Sequence, residues 1–331
     1  MPASPGSVLV VAEELDATAD LVVAALAERD VPVIRFDLAD FPQQITLAAT
    51  HDGHAAGWQG TLRATAGRST RLEEVRAVYY RRPGLPRLSP AVAEEYRDWA
   101  RAQALVGMVQ VLSSLPVAWM HHPDLYRAAA HKPGQLAAAA AAGLSVPRTL
   151  ITNSLPEARA WAETISGPLA CKPVTAGAIT LPHQRPTLLP TRRISTDDLD
   201  DTLELTCHLL QEWVETAYEV RLTVVGDTIF PVAIHAHSDA ARADWRADYD
   251  ALTYEPTSIP IPVAAAVRRL MAHYQLNYGA VDFGVTPDGR WRFYEINPAG
   301  QWQFIAAATG LPIAQAHAEL LAGPTTARSH A

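Results

Sequence analysis

The stretch 278–297 constrains the fold most. Two apolar-rich runs flank Asp288-Gly289, a pair that tolerates the positive φ of a tight turn, so the segment reads as an antiparallel hairpin. With a two-residue turn Pro287 opposes Arg290, and Asp282 then falls opposite Glu295. Strand side chains alternate, so Glu295 and Asn297 share a face, and the same alternation places Trp291 and Phe293 beside them. Two carboxylates facing each other across a ladder repel, and a cation between them reverses the sign. Mg²⁺ takes oxygen ligands, usually one or two carboxylates together with substrate phosphates. Asp282, Glu295 and Asn297 are therefore the candidate metal ligands.

The rest of the chain alternates strand and helix patterns before turning antiparallel. Residues 7–12 read as a buried strand, 18–29 as a helix and 31–36 as a second strand. The first strand–helix turn has no glycine, so this Rossmann-like opening carries no dinucleotide fingerprint. A strand at 76–80 ends at Arg81-Arg82-Pro83, and Ser89-Pro90 reads as the start of a helix reaching about residue 115. Residues 124–142 read as one long helix stopped by Gly143, with Lys132 inside it. A strand at 148–152 and a helix capped by Ser154 precede a strand ending at Lys172. Residues 174–191 read as a long mobile loop, followed by a helix capped at Thr196 or Asp197. Strands at 208–214, 218–225 and 229–237 follow, the last two joined at Gly226-Asp227. Residues 238–257 read as irregular, and the tail after Ala322 as disordered.

Along the strand 218–225, Glu219 and Arg221 project from one face, while Tyr218, Val220, Leu222 and Val224 take the other. Glu219 suits a ribose or nearby polar group, and Arg221 suits charge on a transferring phosphoryl group. Lys132 and Lys172 are point-charge partners for phosphate oxygens. The formal net charge of −8 leaves no basic field for nucleic acid. No apolar run is long enough to cross a membrane, and no signal pattern opens the chain. Cys171 and Cys207 are the only cysteines, which fits a reducing cytoplasm, and both read as small buried hydrophobes.

Taken together, the chain resembles the ATP-grasp superfamily, and within it the graspetide synthetases, the ATP-grasp ribosomal peptide maturases of the microviridin type, in their actinobacterial branch. The segments that carry the resemblance are Val78-Tyr-Tyr-Arg-Arg-Pro83, His122-Pro-Asp124, Lys132-Pro133, Val146-Pro-Arg-Thr-Leu-Ile-Thr-Asn153, Lys172-Pro173, Gln211-Glu-Trp213, Tyr218-Glu-Val-Arg221 and Asp282…Glu295-Ile-Asn-Pro298. It implies a mixed α/β and α+β chain with the ATP-grasp fold. The expected units are an N-terminal Rossmann-like pre-ATP-grasp domain at 1–122, a small lid subdomain at 123–210 and a C-terminal antiparallel-sheet subdomain at 211–321, with a tail at 322–331. It also implies that Lys132 and Lys172 contact ATP phosphates, that Gln211, Glu212, Trp213 and Val214 form the hinge around adenine, and that Asp282, Glu295 and Asn297 hold Mg²⁺ with Arg221 at the reacting phosphate. The family usually carries two or more glycines in the loop after the second lysine. Here Gly177 stands alone, which implies a different closure.

The implied activity is ATP-dependent ligation. An Asp or Glu side chain of a ribosomal precursor peptide, which has a leader and a core, is activated as an acyl phosphate. A Ser or Thr hydroxyl then gives a macrolactone, or a Lys amine a macrolactam. A homodimer is implied as well. Arg81 and Arg82 are candidates for holding an acidic substrate segment. Two other readings are a ligase joining free amino acids or small acids, and an inactive nucleotide- or peptide-binding subunit. His235, His237 and Asp239 make a poor metal site, and His121-His122 reads as a cap or turn feature.

Overall fold

The computed structural model describes residues 6–54, 57–64, 67–175, 178–179 and 187–323. The opening unit contains β1 (Ser7–Ala12), α1 (Ala17–Ala27), β2 (Val33–Phe36), β3 (Thr46–Thr50), β4 (Gln59–Arg63), β5 (Ser69–Arg71), β6 (Val75–Arg81), α2 (Arg97–Ser113) and β7 (Ala118–Met120). β2-β1-β6-β7 form a parallel sheet, and β3-β4-β5 a small antiparallel one. Parallel strands need apolar residues on both faces. Accordingly Val8 and Val10 enter one core with α1, while Leu9 and Val11 enter another with Met108 and Leu112 of α2.

Then come α3 (Pro123–Ala129), α4 (Lys132–Ala141), β8 (Thr149–Thr152), α5 (Leu155–Ala162), β9 (Leu169–Lys172), β10 (Ala178–Ile179), β11 (Thr187–Leu188), β12 (Arg192–Ile194) and β13 (His208–Glu212). β12-β9-β13-β8 form an antiparallel sheet, backed by α5 through Ala158, Ala162, Leu169 and Leu210. The chain ends in β14 (Tyr218–Val225), β15 (Thr228–Ala236), α6 (Asp239–Ala243), β16 (Leu252–Pro256), α7 (Ile261–His273), β17 (Tyr278–Val285), β18 (Trp291–Asn297), α8 (Gln303–Thr309) and α9 (Ile313–Ala322). β16-β15-β14-β17-β18 form the second large antiparallel sheet. Val220, Leu222 and Val224 pack on α4 and α7, so the opposite face of β14 is left to Glu219, Arg221 and Thr223. Among the described residues no helix is long and apolar enough to cross a membrane.

Several expectations need correction. The helix from Ser89 begins only at Arg97. Ser89 instead closes a local turn, accepting from the Ala91 N–H at 3.2 Å, and the acids Glu94 and Glu95 open a 3₁₀ turn before α2. The single helix 124–142 is two, because Pro133 cannot donate to the preceding turn. Lys132 is therefore a helix start rather than a helix interior. The expected helix at 196 is a 3₁₀ turn closed by a Ser195–Asp198 capping box, followed by a second at Asp201–Leu205. The segment taken as irregular holds α6, capped by Ser238, and the edge strand β16. Cys207 is exposed and Cys171 half-buried. Gly177 and residues 324–331 lie outside the described residues, as does half of the expected loop 174–191.

The final hairpin keeps its central pairing by a different route. Gly289 has φ +80°, and Thr286 pairs with Arg290 around a three-residue loop, 287–289. That loop shifts the ladder by one, so Phe283 pairs with Phe293. Tyr294 is then an extra residue, a β-bulge, and beyond it Asp282 lies opposite Glu295 as expected. The bulge also breaks the alternation. Trp291 and Phe293 face the apolar core with Phe283, not the face of Glu295, which is shared instead by Tyr294.

Candidate active site

A cavity of about 300 Å³ separates the two large antiparallel sheets. The roof comes from β9 and β13. Leu210 points to α5, so Leu209 and Gln211 point to the cavity, with Ala170 and Lys172 beside them. The floor is the polar face of β14, β17 and β18, with Glu219, Asp282, Tyr294, Glu295 and Asn297. Ladder register aligns these residues: Arg221 lies beside Asp282, and Asp282 beside Glu295.

The roof is held by side-chain hydrogen bonds. Lys172 Nζ donates to Gln211 Oε1 at 2.9 Å and stands 4.7 Å from the centre of the Tyr294 ring. Gln211 Nε2 in turn donates to Thr149 Oγ1 at 2.9 Å, which ties three strands together. Burial lowers the Lys172 ammonium to about 8, with Glu295 opposing the shift. Lys132 Nζ, at the start of α4, donates to the Pro173 carbonyl at 3.1 Å and lies 3.7 Å from Glu295 Oε2. The two lysines, far apart in sequence, therefore border the same cavity.

Residues 211–214 form one wall. Glu212 pairs with Arg292, Trp213 carries Arg193 over its ring at 5.3 Å, and the backbone N–H of Trp213 donates to the Pro168 carbonyl at 3.1 Å. Val214 completes this edge of the cavity.

The floor concentrates charge. Arg221 Nη1 donates to both oxygens of Asp282 at 2.6 Å, and its guanidinium faces the Trp245 ring at 5.4 Å. Only 4% of Arg221 is exposed, so it supports Asp282 from behind the cavity wall and is no exposed ion pair. Glu295 Oε1 accepts from Arg246 Nη1 at 3.0 Å and from Asn297 Nδ2 at 3.1 Å. Burial raises both carboxyls. At Asp282 it prevails despite Arg221, whereas at Glu295 the charges of Arg246, Lys132 and Lys172 outweigh it and the net shift is downward. Glu219 has no hydrogen-bond partner among the described residues. Burial pushes it up to about 8, helped by the charges of Asp282 and Asp244. The donor set on the floor is two opposed carboxylates and an amide oxygen, the hard-oxygen chemistry that a small divalent cation takes. With its amide nitrogen given to Glu295, Asn297 keeps its oxygen for such a cation.

The two arginines proposed for substrate part ways. Arg81 is wholly buried, paired with Asp16 Oδ2 at 3.0 Å and bonded to Gln301, so it cannot meet a peptide. Its burial follows from the register of β6 in the middle of a two-faced sheet. Arg82 is exposed, with φ +42° just past the strand. His122 caps α3 through Nδ1 as expected, and His121 is buried against the Tyr80 carbonyl. His237 bonds Thr253 at 3.0 Å. Among the described residues no group of three His, Cys, Asp or Glu gathers for a metal.

Asp244, Trp245 and Arg246 line the cavity and were missed, because their segment shows no apolar periodicity. The available signal was an aromatic flanked by opposite charges in a stretch otherwise read as loop. Tyr294 was missed because a bulge leaves no mark on a regular alternation.

Residues 7–127 match the MvdD pre-ATP grasp domain family. No curated protein matches the chain. Among solved structures, the chain is 27% identical to the macrocyclase MdnC from Microcystis aeruginosa MRC, bound with precursor peptide MdnA, covering 95% of this chain and 99% of that one at a TM-score of 0.82. It is 26% identical to a RiPP-associated ATP-grasp ligase from Chryseobacterium gregarium, in complex with ADP and a leader and core peptide, with coverage of 96% and 98% and a TM-score of 0.87. It is also 27% identical to the macrocyclase MdnB from the same Microcystis strain, with coverage of 96% and 99% and a TM-score of 0.76. With a lysine-bearing roof, an acidic floor and these likenesses over nearly its whole length, the chain has the fold of the ATP-grasp ligases, and residues 7–127 match the MvdD pre-ATP grasp domain.

Proposed function

We propose that the chain uses Mg-ATP to activate Asp or Glu side chains of a ribosomal precursor peptide and closes them into macrolactones or macrolactams. The observation that carries this reading is the floor of the cavity, where Asp282 and Glu295 oppose each other beside Asn297 and beneath two lysines. In the first step a carboxylate oxygen attacks the γ-phosphorus of ATP, the bond to the β-phosphate oxygen breaks, and an acyl phosphate and ADP result. In the second a Ser or Thr hydroxyl, or a Lys amine, attacks the acyl carbon and loses its proton as phosphate leaves. Lys132 and Lys172 meet the nucleotide phosphates, and residues 211–214 hold the adenine. Glu219 faces the ribose side, where a hydroxyl can donate to its otherwise unpartnered carboxyl. Asp282, Glu295 and Asn297 hold Mg²⁺, which offsets charge on the transferring group. Arg221 fixes Asp282 and adds positive potential from beneath.

The precursor peptides bound to MdnC and to the Chryseobacterium ligase, and the ADP in the latter, support this substrate class. The microviridin type, a cytoplasmic homodimer and the division at 122, 210 and 321 belong to the same reading. The test is co-incubation of the protein and Mg-ATP with a peptide from a short neighbouring reading frame whose core is rich in Thr/Ser and Asp/Glu, followed by mass spectrometry. Products lighter by whole waters are expected, and Glu295→Ala should give none while keeping its far-ultraviolet circular dichroism. Unchanged peptide mass with the parent protein rejects macrocyclisation.

A further inference from the structure

A buried carboxylate joins the roof of the cavity to its floor. Asp244 follows α6, and only 6% of it is exposed. Its Oδ1 accepts from Arg246 Nε at 2.9 Å and from the Arg246 backbone N–H at 3.1 Å, and its Oδ2 accepts from Arg246 Nη2 at 3.3 Å. The fourth donor comes from the roof. The Thr191 backbone N–H, one residue before β12, donates to Oδ2 at 3.1 Å. Each oxygen of an ionised carboxylate takes two donors in this way, so Asp244 is fully satisfied only with Thr191 in place. Burial raises the Asp244 carboxyl, but the Arg246 charge and these hydrogen bonds outweigh it and hold it below the usual carboxylate range.

Both ends of the Asp244–Thr191 bond are anchored. On the floor side the Asp244 N–H donates to the Ala240 carbonyl at 3.1 Å, closing α6, and the Ala247 N–H donates to the Asp244 carbonyl at 2.8 Å. Trp245, the next residue, is buried against Phe304 of α8. On the roof side the donor belongs to the backbone, and the β12–β9 ladder that begins at Arg192 fixes its position. Lys132 also spans the cavity, to the Pro173 carbonyl at 3.1 Å, but nucleotide phosphates compete for its ammonium. Glu212 and Arg292 pair where the chain itself already joins roof to floor. Asp244 has no proton to offer a phosphate, so a nucleotide does not compete for it.

We propose that Asp244 is a positioning residue that fastens the roof sheet to the floor through the Thr191 N–H and so retains the nucleotide between them. The proposal rests on the ligase reading above, and stopped-flow binding and release of mant-ADP, a fluorescent ADP, in the presence of Mg²⁺ separates the two. No saturable mant-ADP binding by the parent protein rejects the ligase reading and this proposal with it. Thr191→Pro removes the one N–H and leaves Asp244 paired with Arg246. It should release mant-ADP at least about fivefold faster than the parent, with the association rate changed by less than about twofold. Thr191→Ser keeps the N–H and should release it within about twofold of the parent. In Asp244→Asn the Arg246 fork takes the one remaining oxygen, and an amide NH₂ faces the Thr191 N–H. Release should again be at least about fivefold faster. If both changes break one bond, the double variant should release no faster than the faster single one. Accelerations that multiply in the double variant, as two unrelated defects would give, overturn the proposal. Release within about twofold of the parent in Thr191→Pro or in Asp244→Asn overturns it, and so does equal acceleration in Thr191→Ser. Should Thr191→Pro lose the parent's far-ultraviolet circular dichroism, Asp244→Asn and Thr191→Ser decide by the same thresholds.

Discussion

Buried histidines make the interior sensitive to acid. His317 is fully buried, with Nδ1 2.8 Å from the Ile313 carbonyl and its ring stacked on Trp302 at 4.9 Å between centroids. Burial lowers its pKa to about 4, and the Arg81 charge adds to this. His121, also buried near Arg81, is held well below the usual histidine range. Both are neutral in the fold and charge readily once unfolded. The unfolded chain therefore binds more protons between about pH 6.5 and 4, and stability falls as pH falls through that window. The melting temperature is expected to drop between pH 7 and 5 by more in the parent than in His317→Gln, as read by thermal scans in matched buffers. The same residues show what a sequence conceals. His121 read correctly as a feature near a turn, with φ +65°, but its burial comes from the Tyr79 and Tyr278 rings that pack on it from strands distant in sequence. Glu295, Asp282 and Asn297 were legible because two-residue periodicity is local, whereas Arg246 reaches Glu295 across 49 positions of chain.

At the level of elements, the edge of the five-stranded sheet depends on one glutamine. Gln135 of α4 is buried. Its Nε2 donates to the Ile296 carbonyl at 2.9 Å and the Ala129 carbonyl at 2.6 Å, and its Oε1 accepts the Ile296 N–H at 3.0 Å. It covers the open edge of β18 between Glu295 and Asn297 and bridges the break before Lys132. Gln135→Leu keeps the volume but strands those backbone groups, so a loss of about 2–4 kcal/mol is expected in urea unfolding. Mg-ADP affinity should weaken too, since Lys132 and Glu295 lose their common support. Most strands could be read from alternation, and the β14 face pattern carried straight into the site. The late start of α2 could not, because only the competing turn at Ser89 and the 3₁₀ turn before Arg97 decide it, whereas the break before α4 was signalled by Pro133 and overridden by the apolar pattern that runs through it. The final hairpin is instructive. A loop one residue longer than expected and a bulge at Tyr294 cancel, so the pairing of Asp282 with Glu295 survives although both steps toward it differ.

Across the whole molecule, Gln301 joins the pre-ATP-grasp domain to the ligase floor. Its Oε1 accepts from Arg81 and from Thr18 Oγ1, and its carbonyl lies 3.4 Å from Arg221 Nη2. Arg81 is wholly buried between Asp16 and Gln301, so removing it leaves a half-buried carboxylate without its partner. Arg81→Met is expected to cost about 3 kcal/mol, read as a lower denaturation midpoint, with a smaller loss of nucleotide affinity through Arg221. This cross-domain link was invisible in sequence. Arg81 looked like a strand-end arginine for substrate, and only the packing of α9 and the post-β18 turn onto β6 buries it. The exposed position of Cys207 has a practical use. Cys171 is half-buried and its thiol is pushed up by burial, whereas Cys207 lies open just before the strand that leads to residues 211–214. The natural sequence thus carries its own attachment point for a maleimide dye on the roof sheet. Closure over a nucleotide could be followed optically without introducing a single cysteine.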